Sequence, residues 1–148
     1  MAERFFRSIR LLAQCYQTFE QLSNADVRRT KLTPSQFDII ATLGNTEGMT
    51  FRDLGERTLI TKGTLTGVID RLEAQGLVRR VAQTDDRRCT LVKLTEAGQR
   101  EFERIFPGHV QHCRQPFVDY KEEDFAALER ELGRLKASLD AAIAKNKL

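Results

Sequence analysis

At 148 residues, 41% hydrophobic and 30% charged with a formal net charge of +3, the chain is long enough for one domain with a real core and is only mildly basic. Its three cysteines, Cys15, Cys89 and Cys113, are odd in number and widely spaced, which excludes a disulfide framework and fits a reducing cytosol. No apolar run approaches the ~18 residues of a membrane span, and Met1-Ala2-Glu3-Arg4 leads straight into an amphipathic pattern, so a cytoplasmic protein without a signal peptide is expected.

In chain order, Phe5, Ile9, Leu12, Tyr16, Phe19 and Leu22 step by threes and fours and predict a helix from about Glu3 to Leu22. Thr33-Pro34-Ser35-Gln36 opens a second helix, with Thr33 as cap, Pro34 at the first helical position and Gln36 closing a capping box. Gly44 is the expected left-handed stop. Thr50 caps a short helix carrying Phe51 and Leu54, with Asp53 in its first turn where the helix dipole favours negative charge. Next comes a helix over 61–75, with Leu65, Val68, Ile69 and Leu72 as its apolar stripe. After Gly76, residues 77–81 and 90–94 read as two strands around a polar turn. Thr95 caps another helix, which Pro107-Gly108 should break or kink. The last helix carries Phe125, Leu128, Leu132, Leu135, Leu139 and Ile143, close to a heptad seam.

The face of the 61–75 helix opposite its stripe carries Lys62, Gly63, Thr64, Thr66, Gly67, Asp70 and Arg71. It is small and polar, as a helix lying in a DNA major groove requires. Positive charge is concentrated just behind it, in Arg79, Arg80, Arg87, Arg88 and Lys93, against Asp85 and Asp86. Arg79 and Arg80 alternate across a strand, so at most one faces DNA. Asp70 repels phosphate and is expected to pair with Arg71 or a base of the hairpin. The long amphipathic helices at the two ends call for a partner surface, and a second copy is the economical one. A symmetric dimer would also space two reading helices about one DNA turn (~34 Å) apart.

Three stretches carry a resemblance. Leu32-Thr33-Pro34-Ser35-Gln36-Phe37, the run Gly63 to Glu73 followed by Gly76-Leu77-Val78, and Asp85-Asp86-Arg87-Arg88 followed by Leu94-Thr95-Glu96-Ala97-Gly98 together resemble the MarR family of bacterial winged-helix regulators. The resemblance implies a mainly α fold with a small β-hairpin wing, a winged helix-turn-helix with long N- and C-terminal dimerisation helices. Residues 1–30 would form the N-terminal dimerisation helix, 31–98 the DNA-binding lobe and 99–148 the C-terminal dimerisation helices of one intertwined domain. It implies a homodimer on a pseudo-palindromic operator in double-stranded DNA, usually a repressor, released by a small molecule or an oxidation. Carried over by position, Thr64, Thr66 and Gly67 would face the major groove, with Lys62 and Arg71 at its edge or the phosphates. Arg87 or Arg88 would enter the adjacent minor groove, where arginine gains from concentrated negative potential. Asp86 would hold the wing by pairing with an arginine. Several relatives place a longer polar side chain where Gly67 sits, so shape and the wing should carry more of the specificity here.

Candidate sensing residues are few. Cys15 sits in the first helix among apolar residues and reads as packing, and Cys89 lies beside the wing near aspartates that oppose a thiolate. His109, His112 and Cys113 have helical spacing suited to zinc but need further ligands, for which Phe37-Asp38 supplies one weak candidate, so no metal or cofactor is expected. An effector pocket implied by the resemblance would draw on Arg10, Gln14, Tyr16 or Phe37, and would suit phenolic or carboxylate ligands. The chain lacks a phosphate-binding glycine loop, a Gly-x-Ser-x-Gly elbow and a His-Glu-x-x-His pair, so it is not expected to be an enzyme. The alternative is a winged-helix module for protein contacts, which would be expected to lose the wing bases that this chain keeps.

Overall fold

The computed structural model describes residues 4–83 and 89–147. They fall into two compact units, Met1–Cys113 and Arg114–Leu148. In the first, helix α1 (Arg4–Val27) is followed by α2 (Pro34–Leu43), strand β1 (Met49–Thr50), α3 (Phe51–Thr58), α4 (Lys62–Ala74), strands β2 (Val78–Ala82) and β3 (Thr90–Leu94), and α5 (Glu96–Arg114), which carries the chain across the boundary. The second unit continues with a short 3-10 turn, Gln115–Phe117, and α6 (Glu122–Asn146). There Phe117, Tyr120 and Phe125 gather their rings at 5.4–5.8 Å between centroids.

Local signals place most helix ends. Thr33 Oγ1 accepts from the Gln36 N–H at 3.2 Å while the Gln36 side chain accepts from the Thr33 N–H at 3.1 Å, the reciprocal box that the sequence predicts. Thr50 Oγ1 accepts from the Asp53 N–H at 3.1 Å and Thr95 Oγ1 from the Gly98 N–H at 3.0 Å. Helix α4 ends in a Schellman turn. Gly76, at φ +74°, donates to the Glu73 carbonyl, and the Leu77 N–H reaches back to the Leu72 carbonyl at 3.0 Å. Gly98 serves a close approach instead, since a Cβ there would come within 2.0 Å of the Leu77 carbonyl oxygen.

Three expectations need correction. Helix α1 runs on to Val27 rather than ending at Leu22, because Val27 is buried in the core and no breaker intervenes. Gly44 is not left-handed (φ −56°, ψ 135°); Asn45 takes that conformation at φ 58°. Asparagine tolerates it better than most residues, so the turn forms one position later. Helix α5 runs through Pro107 to Arg114, so of the break or kink that the sequence suggests the break does not occur. Proline forfeits one helical hydrogen bond, and side-chain contacts beyond it hold the second half. His109 donates to Asp26 at 3.0 Å and His112 to the Leu22 carbonyl at 2.8 Å.

The core lies in the first unit. The predicted α4 stripe is buried, Leu65, Val68, Ile69 and Leu72 being 0–5% exposed, and it meets Ile39, Ile40 and Leu43 of α2, Leu54 of α3 and Phe102 of α5 in one cluster. The sheet is antiparallel in the order β1-β3-β2, with Met49 opposite Val92 and Arg80 opposite Val92 on the other side. Val78 and Val92 seal it against the helices.

Candidate nucleic-acid interface

Helices α3 and α4 are joined by Leu59, Ile60 and Thr61, a three-residue turn. Leu59 is left-handed (φ 58°, ψ 14°) and 74% exposed. A side chain with a Cβ in that region stores strain, so the turn that sets the angle of α4 is not at a relaxed minimum. Thr61 begins α4 without a side-chain cap bond; its hydroxyl donates to Thr64 Oγ1 at 3.1 Å instead.

On α4 the stripe faces inward and Lys62, Gly63, Thr64, Thr66, Asp70 and Arg71 are exposed, with Gly67 half-exposed. Glycine costs about 0.5–1 kcal/mol against alanine in a helix interior, so two on one face need a reason. Packing supplies none: a Cβ at Gly63 or Gly67 would meet no atom within 4 Å. What these positions leave free is the space outside the molecule.

The wing is braced against this helix. Arg80 of β2 binds Glu73 at 2.7 Å and also pairs with Asp70, while its guanidinium lies 5.6 Å from the Phe51 ring centre. Asp70 thus pairs with a base of the hairpin, one of the two partners that the sequence leaves open, and not with Arg71. Arg79, the neighbour on the strand, points outward and is exposed. Beyond β2 the Gln83 N–H donates to the Cys89 carbonyl at 3.0 Å. Asp86, Arg87 and Arg88 lie outside the described residues, so their expected wing roles stand as sequence readings.

Behind α4, the first unit holds a half-open cavity of about 480 Å³ between α1, α2, α5 and the α3–α4 turn. Tyr16, Phe19, Phe37 and Phe106 form aromatic walls, and Thr58, Leu59 and Ile60 bring the turn itself to the site. Of the residues that the sequence nominates for a pocket, Tyr16 and Phe37 are there. Arg10 is not; it lines an open groove along the start of α1. Gln14 is not among the walls either. Glu20 and Asp38 are among them. Asp38 is half-buried, and burial holds its carboxyl above the usual range. Tyr16 is raised as well, by burial and then by the Glu20 carboxylate.

The His109, His112 and Cys113 group separates. His109 Nδ1–H donates to Asp26, and its Nε2 lies 3.3 Å from the Ser23 hydroxyl and 3.4 Å from the Cys113 thiol. His112 turns to the Leu22 carbonyl. Burial pushes the Cys113 thiol up, against the lowering effect of its hydrogen bond with Ser23 and with a small push from Asp26, so the thiolate that a metal or an oxidant needs is disfavoured. No group of three metal-ligating side chains occurs among the described residues. Cys15 is exposed, not packed as its apolar neighbours suggest, and Cys89 is half-buried.

A helix-turn-helix backed by a small antiparallel hairpin, with its second helix offering a bare polar face, defines a winged-helix protein. Comparison with known proteins agrees. The MarR family profile matches residues 32–90. The homoprotocatechuate degradative operon repressor of Escherichia coli is 37% identical over 102 residues, 69% of each chain. AbsC, a MarR family transcriptional regulator from Streptomyces coelicolor, superposes with a TM-score of 0.77 at 30% identity, covering 90% of this chain and 93% of its own. BpsR of Bordetella bronchiseptica, whose DNA binding is regulated by 6-hydroxynicotinic acid, gives a TM-score of 0.71 at 28% identity over 86% and 91%. The chain belongs to the MarR family, whose members are transcriptional regulators and not enzymes. No described helix is long and apolar enough to cross a membrane.

Proposed function

We propose that this regulator binds a pseudo-palindromic operator in cytoplasmic double-stranded DNA as a homodimer, represses transcription there, and is released by a small molecule. The observation that carries the reading is the outer face of α4. Two glycines that no internal contact requires sit among exposed threonines, and a backbone that must come close to another molecule gains from missing side chains. In this reading Thr64, Thr66 and Gly67 face the major groove, and Lys62 and Arg71 contact its edge or the phosphates. Arg87 and Arg88 enter the neighbouring minor groove, with Asp86 as their structural partner.

Residues 31–98 then serve as the DNA-binding lobe and the helices on either side as the dimer interface. Exposed apolar residues support this: Phe5, Ile9, Leu12, Tyr16 and Phe19 on α1 are 38–56% exposed, and Leu128, Leu132, Leu139 and Ile143 on α6 are 40–54% exposed. Release by an effector is supported by the cavity that reaches the α3–α4 turn, and by the ligand control that BpsR shows.

The wing assignment is tested by replacing Arg87 and Arg88 with alanine together. Operator affinity should fall at least tenfold, and the slope of log affinity against log salt should shrink by about 1 for every phosphate that is no longer neutralised. Unchanged affinity and slope would place the DNA-binding surface elsewhere and favour a module for protein contacts.

A further inference from the structure

We infer that the corner between α1 and α2 is a further DNA-contact surface, where Arg28, Arg29 and Lys31 hold backbone phosphates beside the groove that α4 enters. It rests on the operator binding proposed above and adds a contact that neither α4 nor the wing supplies. Three bases fall within four residues here, and all three are exposed. None has an ion-pair partner among the described residues. The acid nearest to them in the chain, Asp26, is committed to His109 at 3.0 Å. Arg52, Arg80, Arg104 and Arg134, by contrast, each have a carboxylate within 3.2 Å. Like charges so close repel one another until an anion arrives.

Local structure explains only part of this charge. Arg28 and Arg29 follow the C-terminal end of α1, where the helix dipole favours a base. Lys31 stands instead just before α2, whose positive end disfavours it. The corner itself is stiff. Val27 is buried, and the Thr30 hydroxyl donates to the Val27 carbonyl at 2.6 Å and accepts from the Leu32 N–H at 3.2 Å. The Arg29 and Thr30 N–H groups donate to the Asp26 and Val27 carbonyls, each at 2.9 Å. A fixed backbone presents the bases, so little order is lost when a partner meets them.

The corner adjoins the start of α4, which favours a phosphate strand over an acidic protein as its partner. Asn24, Val27, Pro34 and Ser35 surround the same cavity as Thr58, Leu59 and Ile60, and Thr61 then begins α4. Arg57 and Lys62, both exposed, carry positive charge across that turn. The helix ends fit the same partner. Among α2 to α5, α3 and α5 have an acid in the first turn, whereas α2 and α4 have none. An acid there would suit the dipole but repel phosphate. The exposed apolar residues of α1 end at Phe19, well short of Arg28, so a second copy seated on them leaves the bases open.

The test combines Arg28→Ala, Arg29→Ala and Lys31→Ala in the full chain. Fluorescence anisotropy then follows binding to two labelled duplexes across a salt series, one from upstream of its own gene and one scrambled. Phosphate contacts carry no sequence information, so affinity for both duplexes should fall by the same factor, about tenfold at moderate salt. The slope of log affinity against log salt should shrink by about 1 for each phosphate lost, with the ratio of the two affinities unchanged. Arg28→Lys with Arg29→Lys keeps the charge and should bind both duplexes nearly as the wild type does. Arg29→Glu alone, should the triple variant fold poorly, must weaken both. Unchanged affinity and slope, a loss confined to the upstream duplex, or a charge-keeping variant as weak as the alanine one would overturn the inference. Operator recognition is read separately, from the wild type's ratio between the two duplexes, whereas the corner is read from the change between wild type and variant on each.

Discussion

Gly67 stands on the exposed side of a 13-residue helix, where alanine would be the better helix former. Since a Cβ there meets nothing within the molecule, Gly67→Ala should raise stability by about 0.5–1 kcal/mol. The same methyl group would stand between α4 and the groove floor, so operator affinity should fall severalfold. Urea unfolding and DNA titration of one preparation measure both, and a gain in stability with unchanged affinity would remove Gly67 from the interface. Asp38 makes the opposite kind of case, because its carboxylate is carried at a cost. Burial raises its pKa above the unfolded value of about 3.9, so the folded state holds the proton to higher pH. The cost is absent in acid, grows as pH rises past the unfolded value and is complete above the folded one. Asp38→Asn should therefore raise Tm near pH 7, with the gain vanishing toward about pH 3.5. A lower Tm at pH 7 would mean that the carboxylate is structural.

At the scale of elements, the link between β2 and α4 is Arg80. Its partners Asp70 and Glu73 have side chains 57% and 40% exposed, so the pairs add little stability in water. Their service is to orient β2 against α4 and, in the proposed complex, to neutralise two carboxylates on the helix that would approach phosphate. Arg80→Gln should cost no more than about 1 kcal/mol of stability yet reduce operator affinity about tenfold. Adding Asp70→Asn should restore part of that affinity; strictly additive losses would show that the pair does not act as a unit. Which elements the sequence discloses follows from how local their causes are. The Thr33–Gln36 box and the Leu65–Leu72 stripe depend on residues three or four apart and are legible before any fold is known. Strand β1 is two residues long and exists because Met49 and Thr50 pair with Val92 and Leu91, far along the chain, so no local signal announces it. The course of α5 through Pro107 likewise depends on Asp26 and Leu22 of α1.

At the scale of the whole molecule, the two proposed functional surfaces differ in how local their residues are. The proposed DNA-facing side of α4 is one contiguous stretch, so its small polar residues stand together in the sequence. The cavity joins Tyr16, Glu20, Asp38, Leu59 and Phe106 from distant parts of the chain, so no single stretch announces it. The resemblance offers Arg10, Gln14, Tyr16 or Phe37 as walls, and of these the cavity takes Tyr16 and Phe37. The exposed apolar stripes of α1 and α6 complete the account, each a surface that water leaves unsatisfied in a single chain. The most direct test of the central claim is fluorescence anisotropy of the purified protein on labelled DNA from upstream of its own gene, against a scrambled duplex, across a salt series. The account predicts two chains per duplex, affinity for the upstream DNA at least about 10³-fold above the scrambled one, and a steep fall of both with salt. Equal affinity for the two sequences, or binding indifferent to salt, would contradict it.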